Sequence, residues 1–314
     1  MALTMTDVDR FESSRPRLEA IAYRLLGSAS EAEDAVQETY LRWQGTDTDR
    51  IEVPEAWLTK VLTNLCLNQL TSARARRETY VGEWLPEPLL AGDPMLGPAD
   101  SAERHESVSY AVLALLERLT PSERAVYVLR EAFDYPHREI AGILDLTEAA
   151  SQQIFHRAKK HVAEGRARAE VDEAAARRII EEFLAAATSG RTEPLVRLLT
   201  EDAVAVGDGG GKVPARARAF EGAVAVATFM RGLFKPGPAQ RALAGGPVDL
   251  YITSANGGPA LVAVVAGRVF GVMCLEITDE GIAAFRNQVN PDKLERATRQ
   301  WAATDHGTPL LRLF

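Results

Sequence analysis

The chain has 314 residues, 46% hydrophobic and 25% charged, with 44 Asp and Glu against 36 Lys and Arg for a net charge of −8. That is a soluble, globular composition, long enough for two or three domains. No run of about 18 apolar residues and no basic, apolar, small-residue leader is present, so neither a membrane span nor a secretion signal is expected, and the cytoplasm is the expected location.

In chain order, Ser30 and Glu33 predict a capping box opening a helix over 31–43. Ala32, Ala35, Val36, Tyr40 and Trp43 face inward in that helix. Asp34, Gln37, Glu38 and Leu41 share another stripe, spaced i, i+3, i+4, i+7, which suits a partner helix. Residues 54–78, PEAWLTKVLTNLCLNQLTSARARRE, predict an amphipathic helix ending in Arg74, Arg76 and Arg77. Residues 79–100 hold four prolines and three glycines without a helical period and read as a linker. Trp84, Leu85, Pro86 and Pro88 are too apolar for a merely solvated tether. A docking surface and local packing against a neighbouring helical domain both remain open there.

Thr120, Pro121 and Glu123 spell a capped helix start. A second helix is expected over His137–Leu144, with Ile140, Ala141 and Leu144 inward, and a break at Asp145–Thr147. Thr147 then caps a helix from Glu148 to about Lys160 that buries Ala150, Ile154 and Ala158. This is a helix-turn-helix pattern, against which stands an ordinary helical hairpin with a solvated face. In the first reading Gln152, Gln153 and His156 suit base edges, and Arg157, Lys159 and Lys160, followed by Arg166 and Arg168, suit phosphates. The charge distribution opposes free DNA binding, because residues 1–170 carry 28 Asp and Glu against 20 Lys and Arg, whereas 171–314 carry 16 of each.

From Val171, helices are expected at about 172–187, 192–199 and 222–234, then strands from 248, 260 and 282 with turns at Gly267 and at Asp279–Gly281. Helices followed by antiparallel strands fit an α+β cone. Acid–base chemistry there would need a tuned carboxylate or a placed histidine. The region has one histidine, His306, in its tail, and Asp208, Asp249, Tyr251 and Glu276 are candidates to face a cavity but read first as turn or surface residues. The DGGGK string at 208–212 lacks the Ser or Thr and the helix of a Walker loop. It predicts a tight glycine turn with Asp208 and Lys212 pinned to a neighbour. Cys66 and Cys274 lie in apolar segments and are expected as packed thiols, with no metal site and no cofactor.

Taken together, 31–43, 54–78 and the helix-turn-helix resemble the bacterial extracytoplasmic-function sigma factors, two-domain initiation subunits of RNA polymerase. Their second conserved region corresponds to residues 11–78 and their fourth to 107–165. YVGEWLPEP at 80–88, DGGGK at 208–212 and NPDKL at 290–294 resemble, in order, the hallmarks of a subgroup carrying a C-terminal SnoaL-like domain. The resemblance implies two all-α sigma domains, the second with the helix-turn-helix, plus a C-terminal α+β cone of the SnoaL-like or ketosteroid-isomerase-like type. The domains would span 1–78, 107–168 and 171–314, with the linker at 79–106.

It further implies that the chain is no enzyme but an alternative sigma factor with core RNA polymerase and promoter DNA as partners. Asp34, Gln37, Glu38 and Leu41 would grip the clamp of the largest subunit, and the polymerase flap would be a second contact. The helix at 54–77, with Asn64, Asn68, Arg74, Arg76 and Arg77, would open and read the minus-ten element. The second helix of the helix-turn-helix would enter the minus-thirty-five element. Acidic surfaces would then face polymerase in holoenzyme, which relieves the conflict with the net charge. Many relatives carry Asp at the position of Asn68, Gly at that of Asp145, and Val and Arg at those of Ser151 and Ile154, so base contacts do not transfer.

The interdomain residues implied are Trp84, Leu85, Pro86, Glu87 and Pro88; Asp208, Gly209, Gly210, Gly211 and Lys212; and Asn290, Pro291, Asp292, Lys293 and Leu294. Asn290 and Pro291 would form a turn, Asp292 and Lys293 would pair with the linker or the DGGGK loop, and Leu294 would fill a gap near Trp84. The tail past Leu294 would restrain activity while the cone supports it. The alternative is a sigma factor whose cone is a small-molecule sensor or an enzyme, with an apolar ligand in its pocket.

Overall fold

The structure is a computed structural model describing residues 5–77, 80–97, 109–165, 171–215 and 218–314. The chain divides into two compact units, one built from Met1–Thr79 and Gly92–Arg166, the other from Tyr80–Ala91 and Ala167–Phe314. The linker is thus shared: its first half belongs with the C-terminal domain, its second half with the helices.

In the first unit α1 (Met5–Leu26), α2 (Ala29–Gln44) and α3 (Pro54–Arg77) pack together around Phe11, Ile21, Leu25, Trp43, Leu58 and Leu62, all fully buried. The buried Trp43 indole donates to the Asp7 carbonyl at 3.1 Å, which satisfies its one polar atom. The start of α2 differs from expectation. Ser28, not Ser30, caps it by accepting from the Glu31 amide at 3.3 Å, because the left-handed Gly27 (φ 70°) ends α1 and lets the next helix begin two residues earlier. Cys66 is buried, and burial pushes its thiol well above the usual range.

Residues Tyr110–Leu116 form α4 and Pro121–Tyr127 form α5, whose Thr120–Glu123 capping box has both of its bonds. A π-helical turn, Val128–Ala132, leads to α6 (His137–Leu144) and α7 (Glu148–Gly165). Asp145 holds the turn between them in the left-handed region (φ 53°, ψ 46°), and Thr147 caps α7 through the Ala150 amide at 3.1 Å. The inward stripe of α7 is Ser151, Ala158 and Val162, whereas Ala150 and Ile154, like Leu144 on α6, are only half-buried. A serine reads as surface, but here its hydroxyl pairs with His137 Nδ1 at 3.0 Å and so enters the core satisfied.

The second unit comprises α8 (Glu173–Ser189), α9 (Glu193–Val196), β1 (Leu199–Asp208), β2 (Phe220–Glu221), α10 (Ala223–Phe234), α11 (Pro238–Ala244), β3 (Val248–Ala255), β4 (Gly258–Val265), β5 (Arg268–Thr278), β6 (Gly281–Gln288), α12 (Glu295–Ala302) and β7 (Leu311–Leu313). The sheet order is β2-β1-β6-β5-β4-β3-β7, antiparallel except for the parallel pair β1 and β6. The helix expected over 192–199 is only four residues long, and Leu199 already begins β1. The sheet's inner face and the helices close over a filled core, in which Phe183 meets Phe234 and Phe285 at ring-centre distances of 5.4 and 5.0 Å.

Candidate nucleic-acid interface and linker clasp

On α2, Asp34, Gln37 and Leu41 are exposed, Leu41 by 52%, on the side away from Trp43. Glu38 completes the stripe and is held by Arg42 at 3.0 Å. The stripe thus sets an exposed leucine among two acids and an amide. On α3, Asn68 is exposed and Asn64 half-buried; the side chains of Arg74, Arg76 and Arg77, on the same helix, lie outside the described residues.

On α7, Gln152, Gln153, His156, Arg157, Lys159 and Lys160 are all exposed. Arg157 lies 3.8 Å from Glu123, and Lys159 lies 3.4 Å from Glu131 and over the Phe155 ring. In both pairs the cation is the more exposed partner, Glu123 being buried in its capping box and Glu131 half-buried. Arg166 and Arg168 lie outside the described residues.

In the second unit Asp208, at the end of β1, gathers the three distant motifs. Its side chain is fully buried, which corrects the expectation of a turn or surface residue. Oδ1 accepts from the Tyr80 hydroxyl at 2.6 Å and the Gly210 amide at 3.0 Å. Oδ2 accepts from the Leu85 amide at 3.0 Å, Gln288 Nε2 at 3.2 Å and Lys293 Nζ at 2.7 Å. A buried carboxylate needs this saturation. Burial, then the hydrogen bond to Asp208, pushes the Tyr80 phenol upward, so it remains a donor.

Lys293 also donates to the Leu85 carbonyl at 2.7 Å and sits 4.0 Å from the centre of the Trp84 ring. Trp84 therefore meets an ammonium group, while Leu294, two positions from Asp292, is buried. Lys212 bonds Asp292 at 2.6 Å, and Asn290 donates to the Tyr80 hydroxyl at 3.0 Å. Glycine is required at two places in the loop: a Cβ on Gly209 would strike the Val213 carbonyl, and one on Gly210 (φ 59°) the Asn290 side chain.

Leu85–Leu90 are buried throughout. Beyond WLPEP the strap continues: Leu89 exchanges bonds with Asn256, its amide reaching Oδ1 at 3.0 Å and its carbonyl the Asn256 amide at 2.8 Å. Gln300 on α12 donates to the Leu90 and Ala91 carbonyls at 3.2 and 3.0 Å. Tyr80, Asn256, Gln288 and Gln300 were not singled out from sequence. Gln288 has a local signal, a polar residue closing a strand at an inward position, and Tyr80 opens the YVGEWLPEP string.

The other carboxylates raised as pocket residues are engaged structurally. Asp249 pairs with Arg312 at 2.6 Å and Glu276 with Arg286 at 2.7 Å. Tyr251 packs on Trp301, over which His306 stacks at 3.3 Å. A cleft of about 990 Å³ is lined by apolar residues, including Phe220, Val224 and Phe229, together with Glu201 and Glu221. Among the described residues no group of three His, Cys, Asp or Glu could hold a metal ion, and no helix is long and apolar enough to cross a membrane.

A helical domain with an exposed polar stripe, a helix-turn-helix with a cationic second helix, and an appended mixed-sheet α+β domain define a promoter-recognition subunit of the sigma type. Residues 10–76 match Sigma-70 region 2 and residues 109–162 match Sigma-70, region 4. The chain is 36% identical over 294 residues to the RNA polymerase sigma factor SigJ of Mycobacterium tuberculosis, covering 91% of this chain and 93% of that one. It is 30% identical over 292 residues to a probable sigma factor of the same species, SigI, with the same coverage. The crystal structure of SigJ matches with a TM-score of 0.69 at 33% identity, over 91% of this chain and 97% of that one. The chain belongs to the extracytoplasmic function (ECF) RNA polymerase sigma factors. It is an alternative sigma factor for transcription initiation, binding core RNA polymerase and promoter DNA. The relatives named are sigma factors, which are not enzymes.

Proposed function

We propose that the C-terminal domain regulates initiation by contact, holding the linker between the two sigma regions, and that it is not an enzyme. The observation that carries this reading is Asp208, a buried carboxylate whose donors come from the linker (Tyr80, Leu85), from the glycine loop (Gly210) and from the end of the sheet and its following turn (Gln288, Lys293). A linker tied at one end shortens the effective tether between two DNA-reading elements and so sets how readily both engage one promoter.

Within this reading Asp34, Gln37, Glu38 and Leu41 meet the clamp of the largest polymerase subunit, and the flap is a second contact. Asn64, Asn68, Arg74, Arg76 and Arg77 serve the minus-ten element, and Gln152, Gln153, His156, Arg157, Lys159 and Lys160 the minus-thirty-five element. The sensor alternative has the open apolar cleft beside Phe220 in its favour. Against it, the space between sheet and helices is filled by Phe183, Phe234 and Phe285.

Reconstituted transcription with core polymerase tests the proposal. Deleting 295–314 removes Gln300 from the Leu90 and Ala91 carbonyls and is expected to raise initiation, whereas deleting 171–314 is expected to lower it. Unchanged initiation in both, with turnover or binding of a small molecule in the cleft, replaces contact regulation with the sensor or enzyme reading.

A further inference from the structure

Lys60, Asn64 and Asn68 are spaced four residues apart on α3, so the stripe proposed to meet the minus-ten element continues back to a lysine. That lysine faces the helix-turn-helix of the same unit. Its Nζ lies 2.6 Å from Asp145 Oδ1 and 2.8 Å from the Gly142 carbonyl, near the C-terminal end of α6. A carboxylate beside carbonyls at a helix C-terminus presents concentrated negative charge, as a DNA phosphate does.

The neighbouring contacts orient this pair. Thr59 Oγ1 shares a hydrogen bond with the Tyr135 hydroxyl at 3.1 Å, and the Arg17 guanidinium lies 4.9 Å from the centre of the Tyr135 ring. Arg24 lies over Phe133, and the buried Arg124 donates to the Arg24 carbonyl at 3.3 Å. The first three helices and the helix-turn-helix therefore form one packed body. A body of that size is roughly 40 Å across, whereas minus-ten and minus-thirty-five elements lie roughly 85 Å apart on B-form DNA. The unit must open to span both, and opening strips Asp145 from Lys60.

Asp145 is also held in a left-handed conformation, where glycine would meet no steric penalty. The turn alone does not call for a carboxylate. We infer that Asp145 is an intramolecular substitute for a DNA phosphate, covering Lys60 in the closed unit, and that Lys60 becomes a backbone contact of α3 once the unit opens. The inference rests on the reading that α3 and α7 are the DNA-facing helices. The side chains of Lys60 and Asp145 are 40% and 74% exposed, so the pair is weak and readily exchanged.

The test is a mutant cycle on the full chain, reading affinity for a labelled random-sequence DNA duplex at low salt. Asp145→Asn and Asp145→Gly are each expected to tighten binding roughly twofold to fivefold and to steepen the salt dependence by about one phosphate contact. The glycine variant keeps the turn geometry, so it serves if the asparagine variant folds poorly. In a Lys60→Gln background the same substitutions should do nothing. An equal gain with and without Lys60 means a general field effect and overturns the proposal, as does no gain in either background. Lys160→Ala, measured alongside, separates the failures: if it weakens binding while Asp145 changes have no effect, the latch falls and the DNA reading of α7 stands. If Lys160→Ala also has no effect, both fall.

Discussion

Lys293 bonds Asp208 at 2.7 Å and lies over Trp84 at 4.0 Å, so a single ammonium group joins the glycine loop, the turn after β6 and the linker. Buried pairs of this kind contribute little over an apolar substitute, but they are costly to break from one side. Asp208→Ala would take from Lys293 its anionic partner, leaving its ammonium buried beside the Leu85 carbonyl and the Trp84 and Tyr80 rings, and should destabilise the C-terminal unit by about 3–5 kcal/mol in urea unfolding. Lys293→Met should cost less, because Asp208 keeps its bonds from Tyr80, Leu85, Gly210 and Gln288. Both variants should speed proteolytic cleavage within 80–91. Undiminished stability in Asp208→Ala would show that the carboxylate is not what holds the linker.

The α2 stripe gives a prediction about assembly. Asp34 and Glu38 lie on the surface, and Glu38 pairs with Arg42 on its own helix. Replacing both acids by lysine should weaken capture of core polymerase by roughly tenfold, since reversed charge at an interface rim slows association. The thermal midpoint should hardly move, because neither side chain enters the core. Normal holoenzyme assembly in a pull-down would remove the stripe from the interface.

Local signals made the helical half legible. Thr120, Pro121 and Glu123 form their capping box through neighbours within three residues, and α6 has the bounds read from its apolar spacing. The sheet half was harder. β1 escaped detection because a bulge between Leu199 and Val204 breaks its alternation and its inward residues include the small Ala203 and Ala205. Asp208 looked like a turn residue because its buried state depends on partners far away in sequence, Tyr80 at a separation of 128 and Lys293 at 85. No window of sequence holds that information. Ser28 was passed over for Ser30 because the choice between two adjacent caps depends on where the left-handed Gly27 ends α1.

The C-terminal strand should loosen in acid. Two hydrogen bonds from Arg312 hold the Asp249 carboxyl below its usual range, in the register where β7 pairs with β3. A folded-state pKa below the unfolded one means that the stabilisation is complete above the unfolded value of about 3.9 and is lost as pH falls through the lower folded value. Hydrogen exchange at the Leu310 amide, bonded to the Leu250 carbonyl at 2.8 Å, should therefore accelerate below about pH 4 beyond its intrinsic trend. Arg312→Gln should remove that pH dependence. The same acid profile in the variant would place the titration elsewhere.

The recognition helix should separate affinity from sequence preference. Gln153 lies in the first turns of α7 and is exposed, one residue after the equally exposed Gln152; an amide there can bond adenine at two points, or exchange donor and acceptor with other bases. Lys160, about two turns further along, can offer a point charge to a phosphate whatever the sequence. With holoenzyme and a library of upstream elements, Gln153→Ala should reorder the preferred sequences, with about 1–3 kcal/mol lost at one base pair and little elsewhere. Lys160→Ala should weaken every element by a similar factor and flatten the salt dependence by about one counterion. If both substitutions lower all sequences equally, Gln153 does not read bases and the helix meets DNA through its backbone alone.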